Sequence, residues 1–280
     1  MDGKSLAFQS RQIIKEELLL WKRKGYQAPG LAVIQVGQDA ASSIYVKHKR
    51  QACTEVGIVS HAYDLPDQTS EDDLLGLIKI LNHMRNIDGI LVQLPLPKHI
   101  NTDAVILCID PKKDVDGFHP LNLGRLAQGE PSLRPCTPWG IIRLLSHYQI
   151  ALHGKHAVVV GASNIVGKPM ALELLIAGAT VTVCHRATTD LMRHVSMADI
   201  VIVATGVQDV VHHNWLHDKQ VIIDVGIHRL ENGVIRGDVD FNQVRKKVAW
   251  ITPVPGGVGP MTIDSLLQNT FFAAKYFMRI

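Results

Sequence analysis

Tyr45, Lys49, Ala52 and Val56 recur at intervals of four, three and four residues, the spacing of a single helical stripe. A lysine therefore occupies a position that otherwise faces a core, while Lys47 and Arg50 fall on the other side, where solvent is expected. Turned inward beside a tyrosine ring, an amine can move protons; taken alone, a lysine at the margin of such a stripe more often snorkels to water. Bringing a lysine from about 10.4 to about 7 takes about 4–5 kcal/mol of differential stabilisation, which burial and neighbouring positive charge can supply. Gln93 interrupts the apolar run of Ile90, Leu91, Val92 and Leu94 near its carboxyl end, where open α/β sheets bind their ligands. Its amide can orient an amine or be tied to backbone groups at the strand end. Asp114 and Asp116 stand in the sequence DVDG. One carboxylate can accept hydrogen bonds from a heterocycle with adjacent N–H and NH2 groups and the other can serve the turn; in isolation the motif reads as a turn.

A second group of residues points to a dinucleotide. Gly161, Ala162, Ser163, Asn164, Ile165, Val166 and Gly167 follow a β-branched strand and precede a helix, the context of a phosphate-binding turn. The spacing departs from GxGxxG: Ser163 takes the place of the middle glycine and the last glycine comes one residue late, so an ordinary strand–helix turn is equally consistent. A glycine permits the tight turn, and a helix N-terminus offers N–H groups to an anion. At the end of the following strand stand Cys184, His185 and Arg186, with no carboxylate to hold a ribose 2′-hydroxyl. Arg186, helped by Thr188, suits a 2′-phosphate, which favours NADP over NAD. One charge-assisted hydrogen bond, about 1.5–3 kcal/mol, gives roughly a ten- to hundred-fold preference.

Strands are predicted at 31–37, 61–65 and 89–94, alternating with helices at 41–56, from Ser70 to about residue 84, and at 102–109. Residues 111–135 are rich in Gly, Pro and polar side chains and read as a long functional loop. Thr137 and Pro138 mark an N-cap and first helical position, with a helix to about residue 148 and a domain boundary close by. Beyond it, strands at 156–160, 180–184, 200–204 and 221–225 and a helix at 169–177 compose a parallel α/β domain. A Pro/Gly loop at 252–260 leads to a last helix at 264–278, whose Leu266, Leu267, Phe271, Ala274 and Met278 require a partner surface, expected on the first domain.

Composition narrows the classes. The 280 residues allow one large or two modest domains. With 29 Lys+Arg against 26 Asp+Glu, a net charge of +3 and 46% hydrophobic residues, disorder, collagen-like repeats and a strongly basic nucleic-acid binder are excluded. Cys53, Cys108, Cys136 and Cys184 form no CxxC pair, which suggests neither zinc nor disulfides and fits the cytoplasm. The beginning of the sequence does not read as a signal peptide, and no apolar run approaches the length of about 20 residues that spans a bilayer. Neither HExxH nor GxSxG occurs, so zinc-hydrolase and serine-hydrolase chemistry are unsupported, and no metal is expected.

Taken together, the motifs resemble the bifunctional methylenetetrahydrofolate dehydrogenase/methenyltetrahydrofolate cyclohydrolase family over nearly the whole chain. The resemblance rests on Ser43-Ile44-Tyr45 with Lys49 and Gly57, DGILVQLPLP at 88–97, KDVDGFHP at 113–120 and PCTP at 135–138. GASNIVG at 161–167, DVGI at 224–227 and TPVPGGVGPMT at 252–262 complete it. It implies two α/β domains flanking a cleft, the second a Rossmann-like NADP-binding domain, with the C-terminal helix packing back on the first. The corresponding boundaries are 1–138 plus 262–280 for the folate-binding catalytic domain and 139–261 for the NADP-binding domain.

The implied reactions are NADP-dependent oxidation of 5,10-methylenetetrahydrofolate to the methenyl cation and hydrolysis of that cation to 10-formyltetrahydrofolate. By the resemblance Tyr45 stacks on the folate, Lys49 is the essential acid/base residue, Gln93 its modulator and Asp116 the pterin anchor. Gly161, Ala162, Ser163, Arg186 and Ile227 match the NADP contacts, and Pro255, Gly256, Gly257 and Thr262 belong to a loop lying between cofactor and folate. A homodimer joined through the nucleotide domains is implied, with no nucleic-acid, membrane or metal partner. A dehydrogenase lacking the cyclohydrolase step and a non-catalytic dinucleotide-sensing dimer are the competing readings; the joint presence of Lys49, Gln93 and Asp116 weighs against the first.

Overall fold

In a computed structural model describing residues 1–230 and 233–277, the run GLAVIQV forms β1 (Gly30–Val36), buried along its whole length. A strand buried on both faces needs neighbours on both edges and cover above and below. It has β2 (Val59–Leu65) on one side and β3 (Gly89–Val92) on the other, all parallel. The outer strand β2 is half exposed, whereas β3 is buried throughout. The crossovers are α2 (Ala40–Val56) and α3 (Glu71–His83). The Ser70 hydroxyl caps α3, accepting from the Asp73 N–H at 3.1 Å and donating to its carboxylate at 2.7 Å, as the Ser/Asp spacing predicts. This unit comprises Phe8–Cys136 and residues 263–277, and includes α4 (Thr102–Cys108).

Several elements depart from the sequence reading. The short elements at Leu191–Ser196, His228–Arg229, Ile235–Arg236, Phe241–Val244 and Trp250–Ile251 are additional to it, and three further departures have a clear physical reason. Residues 3–23, left unassigned there, form α1 (Gly3–Arg23), which contributes Ile14, Leu18 and Trp21 to the core. The expected loop at 111–135 contains α5 (Pro120–Ala127): the His119 ring nitrogen accepts from Leu121 N, and Pro120 occupies the first turn, where its missing N–H costs nothing. For the same reason Pro260 does not end the loop at 252–260 but sits in the first turn of the last helix, α10 (Val258–Tyr276). Leu266, Leu267 and Phe271 of α10 pack with α1, β1 and α2 as expected, while Met278 lies outside the described residues. The helix α6 (Cys136–His147) begins one residue before the Thr137 cap position.

The other unit comprises Met1–Ala7 and Thr137–Thr262. Its parallel sheet is built from β4 (His156–Val160), β5 (Thr180–Cys184), β6 (Ile200–Val203), β7 (Val221–Asp224) and β10 (Trp250–Ile251), in the order β5-β4-β6-β7-β10. Alternation along the strands sends Val158, Val160, Val201 and Val203 to one core and Ala157, Val159, Ile200 and Ile202 to the other. The helices α7 (Gly167–Ile176), α8 (Leu191–Ser196) and α9 (Phe241–Val244) connect these strands, and β8 (His228–Arg229) pairs antiparallel with β9 (Ile235–Arg236). Among the described residues no helix is long and apolar enough to cross a membrane.

At the carboxyl end of β7 the buried Asp224 carboxylate accepts from the N–H groups of Gly226, Asp238 and Val239, at 3.0, 2.9 and 3.0 Å. Burial outweighs those donors and pushes its carboxyl up to about 6 from an ordinary 3.8. A folded-state value above the unfolded one means stability that is present below pH 3.8 and lost as the pH rises through about 6. The loss expected from this group is roughly 3 kcal/mol. Urea unfolding of wild type and Asp224→Asn between pH 3.5 and 7 checks this: wild-type stability should fall relative to the variant across that window. Parallel pH profiles would show that Asp224 does not titrate there.

Candidate active site

Both sheets flank their first strand with its next two strands on opposite sides, so each has a crevice at the carboxyl ends where the strand order reverses: between β1 and β3, and between β4 and β6. The residues singled out for chemistry gather at these ends.

In the unit holding β1 to β3, the stripe of α2 faces the core as its spacing predicts: Ala52 and Val56 are buried, and so is Lys49. The Lys49 Nζ donates to Gln93 Oε1 at 3.1 Å and lies 4.7 Å from the centroid of the Tyr45 ring. Gln93 follows the last residue of β3, its own N–H donating to Ile34 O of β1 and its Nε2 to Leu94 O. The amide is thereby fixed with its oxygen toward the lysine. Arg50 is not solvated as expected; it is half-buried, pairs with Asp64 of β2 at 2.6 Å and reaches Val33 O.

The two carboxylates of DVDG have separate fates. Asp114 Oδ2 accepts from His119 N at 2.8 Å and Asn122 Nδ2 at 2.9 Å, so this carboxylate builds the turn leading into α5. Asp116 lies within electrostatic reach of the lysine instead. Desolvation raises its carboxyl above the ordinary carboxylate range; the positive charge of Lys49 pulls it back and Asp114 adds to the rise. Cys136, buried beside these carboxylates, has its thiol raised well above the ordinary value, chiefly by desolvation. Tyr45, Lys49, Gln93 and Asp116 are thus brought together from α2, the end of β3 and the loop after it. An open groove of about 770 Å³ beside α2 and β2 is lined by Lys47, Arg50, Ser60 and Asp64 but by none of these four, so it is not the chemical centre.

Sequence reasoning passed over the residues that hold this loop. Asn269 of α10 donates from Nδ2 to Val115 O and Arg134 O, both at 2.8 Å, and Asn122 supports Asp114. The signal for Asn269 is the one that exposed Gln93, an amide within an apolar pattern, here between Leu266 and Ala273.

In the other unit Gly161 immediately follows β4 with φ +126°, and a Cβ there would lie 2.2 Å from Ala204 O beyond β6. Only a residue without a side chain lets the turn pass through the β4/β6 crevice. Ala162 follows, and Ser163 Oγ accepts from Val166 N and Gly167 N, closing the loop onto the start of α7. Arg186 lies exposed just past β5, in a turn where Thr188 Oγ1 accepts from His185 N at 2.8 Å. Ile227 is exposed after β7, beside His228, whose Nε2 is 2.7 Å from the buried Asp238 carboxylate. That carboxylate also accepts from Thr205 N and Gly206 N. Pro255 and Gly256 form the turn before α10, and Gly257 immediately precedes it. Thr262 lies within α10 rather than in the loop, its hydroxyl 3.0 Å from that of Thr137. Among the described residues no group of three or more His, Cys, Asp or Glu side chains could hold a metal ion.

Comparison with known proteins gives a consistent result. The sequence profile described as the tetrahydrofolate dehydrogenase/cyclohydrolase catalytic domain matches residues 1–116, and that of the NAD(P)-binding domain of the same name matches residues 135–278. The bifunctional protein FolD of Legionella pneumophila (strain Philadelphia 1) is 59% identical over 274 residues, covering 98% of this chain and 96% of that protein. The crystal structure of the bifunctional enzyme FolD, methylenetetrahydrofolate dehydrogenase/cyclohydrolase, from Campylobacter jejuni is similar with 51% identity and a TM-score of 0.95, over 98% of this chain and 97% of that one. That of the Trypanosoma brucei N5,N10-methylenetetrahydrofolate dehydrogenase-cyclohydrolase, complexed with NADP cofactor and inhibitor, has 37% identity and a TM-score of 0.96, over 100% and 98%.

The Gly161 geometry has a direct test. Gly161→Ala must displace either the turn or the Ala204 carbonyl, and is expected to destabilise the protein by about 2–4 kcal/mol. Chemical denaturation measures this; a variant as stable as wild type would mean that the crevice is looser than its 2.2 Å approach requires.

Proposed function

The chain belongs to the tetrahydrofolate dehydrogenase/cyclohydrolase family, and on that premise we propose that Tyr45, Lys49, Gln93 and Asp116 are its folate site and Lys49 its acid/base group. It is a bifunctional enzyme: NADP-dependent oxidation of 5,10-methylenetetrahydrofolate yields the 5,10-methenyl cation, which water converts to 10-formyltetrahydrofolate. The observation that carries the residue assignment is the buried Lys49 amine, directed by Gln93 Oε1 at 3.1 Å and lying 4.7 Å from the Tyr45 ring centroid, with Asp116 within reach of its charge.

In this assignment Tyr45 offers its ring to a flat heterocycle, and Asp116 accepts from the adjacent N–H and NH2 groups of the pterin. The methenyl carbon is electrophilic. Water adds to it through oxygen, and Lys49, in its neutral form, takes one of the two water protons. The carbon–nitrogen bond at the 5-position then breaks, its electrons going to nitrogen, which receives the proton from Lys49. The second proton leaves to solvent as the formyl C=O forms, so one proton is released per cation hydrolysed. Gln93 keeps the amine aimed throughout.

NADP, when bound, accepts the two electrons of the oxidation. Gly161, Ala162, Ser163, Arg186 and Ile227 are the residues assigned to hold it, and the side-chain-free turn at Gly161 suits the close approach of a pyrophosphate. The proposed functional division is residues 1–138 with 262–280 for the folate and 139–261 for the cofactor. It differs from the compact units, which group Met1–Ala7, Thr137, Pro138 and Thr262 with the nucleotide sheet. Pro255, Gly256, Gly257 and Thr262 are assigned to substrate binding. The proposal extends to a homodimer formed through the nucleotide unit. Leu175 and Ile176 of α7, Val183 of the edge strand β5, and Met192 and Met197 on and beside α8 are exposed apolar side chains that favour such an interface. A cytoplasmic enzyme fits the four unpaired cysteines.

Two variants test the assignment. Lys49→Gln is expected to keep NADP affinity while hydrolysis of added methenyltetrahydrofolate, followed by its absorbance, falls by about a hundredfold or more. Near-normal turnover would remove Lys49 from the mechanism. Arg186→Ala is expected to weaken NADP binding by about tenfold or more and NAD binding by less than about twofold. Equal losses in parallel titrations would refute a 2′-phosphate contact.

A further inference from the structure

The amide of Asn269 is buried on the core-facing side of α10, where a polar group is retained only if its hydrogens are matched. Its Nδ2 carries two hydrogens and has two carbonyl acceptors, Val115 O and Arg134 O, each at 2.8 Å; the Cys136 sulfur is farther, at 3.6 Å. Those carbonyls belong to the two segments that enclose Asp116. On one side, Val115 immediately precedes it. On the other, residues 134–136 run beside it: Cys136 N donates to Asp116 O at 3.2 Å, and the Arg134 carbonyl carbon is 2.4 Å from where a Cβ on Gly117 would stand. The Cys136 thiol donates to Val115 O at 3.2 Å, adding a second tie between residues 134–136 and the residue before Asp116. One side chain on the last helix therefore clips together both segments that set where the Asp116 carboxylate points.

We propose that Asn269 is a positioning residue for folate recognition, acting through Asp116 by tying Val115 O to Arg134 O. The proposal rests on the assignment of Asp116 to the pterin. Without the clip the side chain that joins Val115 O to Arg134 O is lost, and the 115–117 segment can shift relative to residues 134–136, which degrades a fork of two parallel hydrogen bonds. This gives α10 a role beyond core packing: Leu266, Leu267 and Phe271 embed the helix, and the embedded helix holds the amide in place.

The test is a double-mutant cycle on binding. Asn269→Leu, Asp116→Ala and the double variant are titrated with 5,10-methylenetetrahydrofolate without NADP, and separately with NADP. Asn269→Leu is expected to weaken folate binding by about tenfold and NADP binding by less than about twofold. In the Asp116→Ala background, the same substitution is expected to change folate binding by less than about twofold, because its effect passes through the missing carboxylate. An equal factor in both backgrounds, an equal loss of NADP affinity, or unchanged folate binding overturns the proposal. If instead Asp116→Ala alone leaves folate affinity intact, the assignment of Asp116 fails, a distinguishable outcome. Should Asn269→Leu not fold, Asn269→Ser, whose hydroxyl can serve one of the two carbonyls, is taken through the same cycle with a smaller loss expected and the same criteria.

Discussion

A lysine amine held inside an α/β core governs much of what surrounds it. The helical stripe that carries Ala52 and Val56 into the core carries Lys49 with them, and a buried cationic group is costly unless its hydrogens find acceptors and opposite charge lies near. The fold meets that requirement with the end of a strand and a loop. Gln93 supplies a neutral acceptor at 3.1 Å and Asp116 a carboxyl within electrostatic reach, each from backbone that the sheet or its continuation fixes. The arrangement is reciprocal: the lysine also offsets part of the desolvation of Asp116, so neither group is independent of the other.

The same logic explains how much of the site could be read from the residues. Lys49 and Gln93 both break an apolar pattern whose period is known, 3.6 for the helix and a continuous run for the buried strand, so the exception is visible in sequence. Asp114 and Asp116 break no pattern. They are separated by one residue in a turn, and only the fold shows that Asn122 and His119 N claim the first and leave the second to the lysine. Asn269 had the visible form, an amide between Leu266 and Ala273, but its acceptors lie more than a hundred residues away in sequence and periodicity cannot name them.

Element boundaries failed where proline was taken as a stop. Pro120 and Pro260 both occupy first turns, where a missing N–H has no intrahelical partner to lose, and treating them as loop residues hid α5 and delayed α10. α1 was legible in principle: Ile14, Leu18 and Trp21 recur at four and three residues, and no turn signal interrupts them. The parallel strands were the most legible elements because burial on both faces leaves continuous apolar runs, and β1, β3, β6 and β7 are such runs.

The two sets of assigned residues also differ in how far they are built in advance. Lys49 is buried and bonded, Gln93 is tied at both ends, and the segment around Asp116 is clipped by Asn269, so little side-chain freedom remains to be lost there when a ligand arrives. Around the nucleotide sheet, backbone is fixed and side chains are not. Gly161 is wedged against Ala204, and Asp238 fastens Thr205, Gly206 and His228, yet Arg186 and Ile227 stand exposed. Ordering a long arginine costs up to about 2 kcal/mol of rotamer freedom, which offsets much of a charge-assisted hydrogen bond to a phosphate. On the proposed assignment, discrimination at the 2′-position falls toward the lower end of what one such contact can give, whereas recognition of the folate ring would draw on groups whose ordering the fold has already accomplished.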